Sequence, residues 1–176
     1  MNCLTKINFP FFIVLVFFLN SNANSAETLA FDGQFNPVNE AGYSIKISGD
    51  DQEHILSIND IEKLPLHTAS FAFGTQEDLK GDFVGVKLND LLSHVGITTF
   101  KRLFVLASND YKITIENTDL GVENVILASR INGEPFALDN KGPFFIIWPD
   151  QTDDLLAGNV AGVKWAWSVI EIRKIR

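Results

Sequence analysis

The sequence predicts a strand-rich α+β domain with mixed sheets and short helices. Three observations carry this: segments where apolar and polar side chains alternate, two short runs with helical apolar spacing, and turn residues between them. Residues 43–47 and 54–58 alternate, and Gly49, Asp50 and Asp51 between them make an opening hairpin. Ser57 and Asp60 stand in the capping relation that opens a short helix, and Pro65 ends it after Leu64. Residues 66–73 read as a strand and 74–82 as a polar loop. After Phe83, the residues Leu88, Leu91, Leu92 and Val95 follow the i, i+3, i+4, i+7 spacing of an amphipathic helix, with Gly96 as its stop. Residues 101–107 and 111–115 are strands joined around 108–110, and Asn132-Gly133 after 125–131 is a hairpin turn. Residues 144–148 form a buried strand and 150–162 a polar loop. Residues 164–175 form a last strand, in which Trp165, Trp167 and Val169 alternate with Lys164, Ala166 and Ser168 until Ile170. No repeat, low-complexity tract or linker divides the chain, so residues 27–176 are a single domain.

Residues 1–26 read as a secretory signal peptide: Lys6, the uncharged apolar run 9–19, then the small and polar stretch 20–26. A membrane-spanning helix needs about 18 to 20 apolar residues, so no stable anchor is expected after cleavage behind Ala23 or Ala26. The expected location is outside the cytoplasm, in the periplasm. Cys3 precedes the apolar run and is not a lipidation cysteine; losing it with Met1 leaves a mature chain without sulfur. Thiol catalysis, disulfides and cysteine-ligated metals are then excluded. The 14 Lys and Arg against 22 Asp and Glu give a net charge of −8. Lys6 is the only charged residue before Glu27, so the mature chain is more acidic still, which argues against nucleic-acid binding.

The residues alone name no reaction. His54, His67 and His94 have no metal-ligand spacing, and His94 falls where an imidazole suits a helix carboxyl end. No nucleophile elbow or phosphate-binding glycine loop occurs, and Asp150, Asp153 and Asp154 lack calcium-loop spacing and read as solvated surface. Trp148, Trp165 and Trp167 read as core, two of them on one strand face. Asn109-Asp110-Tyr111 serves equally well as a turn or as a pocket element.

Taken in order, Phe83-x-Gly85-Val86-x-Leu88-x-Asp90-Leu91-Leu92-x3-Gly96, Ala107-x-Asn109-Asp110-Tyr111, Leu127-Ala128, Asn132-Gly133-Glu134-Pro135, Gly142-Pro143, Pro149 and Gly162-Val163-Lys164-Trp165 form a pattern. The pattern resembles the oxidoreductase molybdopterin-binding domain of the sulfite oxidase superfamily, over about residues 55–175. The resemblance implies a sulfite oxidase-like fold with a pterin in a groove and a cysteine thiolate on molybdenum, upstream of the Gly-Val-x-Leu helix. Here the corresponding stretch 66–73 holds no cysteine, and where the enzymes carry a Gly-x-Pro-x-Arg pattern this chain has Gly142-Pro143-Phe144-Phe145. The expectation is therefore a non-redox protein, not an enzyme, that needs no cofactor and takes a small ligand or an exported protein partner. Its site would lie between 66–73, Asn109-Asp110-Tyr111 and 162–165. Thr68, Ser70, Asn109, Asp110 and Tyr111 would supply hydrogen bonds, and Arg130 or Lys164 the charge for an anionic ligand. The alternative is a molybdopterin-dependent oxidoreductase in which Ser70, Thr68 or solvent replaces the thiolate.

Overall fold

The computed structural model describes residues 25–73, 79–121 and 124–175. Residues 1–24, which hold most of the expected signal peptide, and 74–78 of the expected polar loop lie outside the described residues. Strand β1 (Leu29–Phe31) comes first; β2 (Ser44–Gly49) and β3 (Gln52–Ser57) then form the expected hairpin, turning through Asp50 at φ 51°. Helix α1 (Ile58–Ile61) opens on the expected cap: the Asp60 amide donates to Ser57 Oγ at 3.2 Å, and the Ser57 amide donates back to the Asp60 carboxylate at 3.1 Å.

Strand β4 (Leu66–Ala72) matches its expected span. The polar loop does not: residues 80–82 already belong to β5 (Lys80–Lys87), which pairs with β4. Lys80, Gly81, Asp82 and Gly85 hid this strand, because their polar or absent side chains break the apolar run that Phe83, Val84 and Val86 would otherwise announce. Gly85 is required at its position, since a Cβ there would collide with the Leu127 carbonyl oxygen of the neighbouring strand. Helix α2 (Leu88–His94) buries Leu88, Leu91 and Leu92 and stops at Gly96, whose φ of 80° suits glycine.

Strands β6 (Arg102–Ala107) and β7 (Lys112–Glu116) form the next hairpin, followed by a short helix α3 (Asn117–Leu120). Strands β8 (Ile126–Ile131) and β9 (Glu134–Pro135) turn through Asn132 and Gly133, both at positive φ, as a two-residue hairpin requires. Strand β10 (Phe145–Ile147) is fully buried, as expected for the 144–148 run. The expected loop 150–162 instead contains a 3-10 turn and helix α4 (Thr152–Leu156). The expected strand 164–175 begins late: a 3-10 turn occupies Gly162–Lys164, Ser168 stands at φ 57°, and β11 (Val169–Ile175) starts only after it.

The strands form two sheets. One has the order β1-β4-β5-β8-β10, with β9 attached to β8, and all its pairs are antiparallel. The other has the order β3-β2-β11-β6-β7, where β2 and β11 pair in parallel. Ile45, Ile47, Val105 and Ile172 from the second sheet join Phe83, Val86, Leu127 and Phe145 from the first, together with the leucines of α2, in one core. The chain crosses between sheets at 165–169, where the Ile146 amide donates to the Ala166 carbonyl and the Ser108 amide to the Ser168 carbonyl. This crossing, and not a regular strand, carries Trp165 and Trp167. The fold is thus strand-rich α+β, with mixed pairing and short helices.

Candidate aromatic cleft

The period of two along β4 decides which side chains meet. Ala69, Phe71 and Phe73 face the core, while Thr68 and Ser70 face the outer side of the sheet. Phe71 stacks on Phe83 with ring centroids 4.3 Å apart, and Trp165 meets Phe71 edge-on at 5.5 Å. One step along, Phe73 stands 5.3 Å from Trp165 and 6.4 Å from Trp167, the latter at an interplanar angle of 89°. Phe145, wholly buried, closes the floor at 5.9 Å from Phe73 and 6.0 Å from Trp167. Edge-to-face pairs of this kind each contribute about 0.5–1.5 kcal/mol beyond area burial.

This cluster opens to solvent in a cleft of 410 Å³, whose walls are Phe73, Tyr111, Val163, Trp165 and Trp167, with Asn109 and Gly162 at its edge. Three distant segments build it. The β6–β7 turn contributes Tyr111 through an Asx turn: the Tyr111 amide donates to Asn109 Oδ1 at 3.1 Å, and Asp110 takes φ 64°. The Tyr111 hydroxyl then donates to the Val163 carbonyl at 2.7 Å, tying that turn to the Gly162–Lys164 turn. Tyr111 nevertheless remains 42% exposed. Trp148, fully buried, donates its indole N–H to the Lys164 carbonyl at 2.9 Å and supports the same turn from below.

The expected site residues therefore divide. Asn109 and Tyr111 line the cleft, as do Gly162, Val163 and Trp165, while Asp110 belongs to the same turn without lining it. Thr68 and Ser70 line a separate outer groove with Phe31, Phe35, Asp82 and Asn132, where the Ser70 hydroxyl donates to Asp82. Arg130 lies with that outer group and is committed to the fold. Its Nε donates to Glu62 Oε1 at 2.7 Å and its Nη2 to Glu62 Oε2 at 2.9 Å, and further bonds reach the Gly133 and Asn36 carbonyls. The Arg130 guanidinium also covers the Phe35 ring at 4.2 Å. Lys164 sits beside the cleft, but its ammonium is paired with Asp119 at 2.6 Å. The sequence reading treated Trp165 and Trp167 as core; Trp165 is buried and Trp167 half-buried, yet both form cleft wall. Their detectable signal was a Trp-Ala-Trp run directly beside Gly162, in the segment already expected to reach the groove.

The cleft's donor set does not fit a molybdenum cofactor. Among the described residues its walls carry no thiol, carboxylate or cation, and the hydroxyls of Thr68 and Ser70 point to the other side of β4. Among the described residues no three His, Cys, Asp or Glu side chains gather as a metal site, and no helix is long and apolar enough to cross a membrane. Compared with models of known protein families and with curated proteins, the sequence matches none.

Proposed function

We propose that this chain is an exported, non-redox binding protein on an oxidoreductase molybdopterin-binding-type fold, and that a small molecule binds in the aromatic cleft. The observation that carries this reading is the cleft itself: rings from the end of β4, the β6–β7 turn and the sheet-crossing segment line 410 Å³ of space, without a metal-binding group among the described lining residues. Concave, largely apolar sites with few polar groups are where small ligands bind. Export rests on the apolar run 9–19 and the small residues after it, which put the mature start between Asn24 and Glu27. A second use of the same face, docking of an exported protein, is favoured by Leu156 and Val163, which are 55% and 58% exposed.

Protein purified from the periplasm of a molybdenum-replete native host decides between this reading and the oxidoreductase alternative. The expected result is a mature amino terminus in the stated window, no stoichiometric molybdenum, and no pterin fluorescence after denaturation. One molybdenum and one pterin per chain would overturn it.

A further inference from the structure

The aromatic cleft has a shape and a charge setting that name its ligand class, and this inference rests on the small-molecule reading above. Two parallel rings make a slot, which suits a flat ligand. Here the wall rings Phe73 and Trp167 stand at 89° and Phe73 and Trp165 at 52°, so none of these pairs makes a parallel slot. Tyr111 adds a further ring, and its hydroxyl is turned away to the Val163 carbonyl. A cleft walled by four aromatic side chains suits a cation lacking N–H groups to donate, which aromatic faces attract.

The charges agree. Among the described residues no carboxylate, amine or guanidinium lines the cleft. The Lys164 ammonium is neutralised by Asp119 at 2.6 Å. Leu155 of helix α4 and Phe73 both come close to Gly162 at the cleft edge. Asp110 lies in the β6–β7 turn that carries Tyr111, and the chain as a whole has net charge −8. Such a field draws cations toward an apolar pocket. We infer that the cleft binds a quaternary ammonium head group, with space left for a short chain attached to it.

Calorimetric titration of the mature protein with choline and with its neutral isostere 3,3-dimethylbutan-1-ol tests the charge requirement directly. Choline is expected to bind at least about tenfold more tightly than the isostere and to weaken as salt rises. Trp167→Leu and the more exposed Tyr111→Leu should each lower choline affinity about tenfold, with circular dichroism confirming the fold of both. Equal binding of choline and isostere overturns the cationic class while leaving the small-molecule reading intact. If neither compound binds, the cationic class also falls. The uncharged apolar dye N-phenyl-1-naphthylamine then separates the two failures: a dye site lost in Trp167→Leu keeps the cleft as a small-molecule site, and no dye site removes that reading as well.

Discussion

The two faces of β4 carry the same kinds of promise in the sequence and hold different chemistry in the fold. On the outer face, Arg130 is 5% exposed and locked to Glu62, which is 9% exposed, with Ser129 Oγ donating to the same carboxylate at 2.9 Å. On the inner face the polar groups withdraw and the rings remain, leaving a cleft with Lys164 at its side and 37% exposed. The difference shows that a cation's usefulness to a ligand depends on whether the fold has already consumed it. Arg130 is a structural ion, holding β8 to α1 and the 36–38 loop, while Lys164 only trims the charge beside the cleft.

Breaking each pair in turn separates these roles. Glu62→Ala leaves the Arg130 guanidinium buried without its carboxylate and should cost about 3–5 kcal/mol in urea denaturation. Lys164→Met removes the half-exposed ammonium while Asp119 still accepts from the Glu116 amide at 2.8 Å, and should cost at most about 1 kcal/mol. Similar losses for the two variants would erase the distinction drawn between the pairs. A smaller effect sharpens the contrast of the two faces: the double variant Thr68→Val and Ser70→Ala should leave choline affinity within about twofold of the parent, because both side chains face the outer groove. A tenfold loss would move the ligand site to that face.

The smallest effect is electrostatic. Hydrogen bonds from Lys63 and Ser57 hold the Asp60 carboxyl well below its ordinary 3.8, at about 2. Its folded-state affinity for protons is thus lowered, so its contribution to stability is present above about pH 3.8 and is lost as pH falls toward about 2. Because Asp60 lies at the surface the contribution is modest. The stability gap between the parent and Asp60→Asn should narrow over that window, read from urea midpoints; a gap that widens on acidification would contradict the assignment.

Much of the scaffold was legible because local chemistry sufficed. The Ser57-Asp60 cap, the Asn132-Gly133 turn and the leucine spacing of α2 each specify their own conformation. The start of β5 was not legible, since Lys80 to Asp82 gain strand structure only from pairing with β4. The end of the chain misled for a related reason: Trp165 to Ser168 alternate as a strand does, but Ser168 at positive φ and bonds to both sheets make them a crossing. The site was read in part. Convergence of Asn109, Tyr111 and the 162–165 segment follows the resemblance, whereas Thr68 and Ser70 were assigned without their strand period, which sends them away from Phe71 and Phe73. Pairing of Arg130 with Glu62 spans 68 positions and leaves no local trace.

The chain holds three tryptophans, and their indole N–H groups sample the cleft and the core separately. Heteronuclear spectra of the mature protein during a choline titration therefore test the central claim most directly. Trp165 and Trp167 are predicted to shift in saturable fashion, while Trp148, bonded to the Lys164 carbonyl at 2.9 Å in the core, stays nearly still. Shifts confined to the backbone amides of Thr68, Ser70 and Asp82, with Trp165 and Trp167 unmoved, would contradict it.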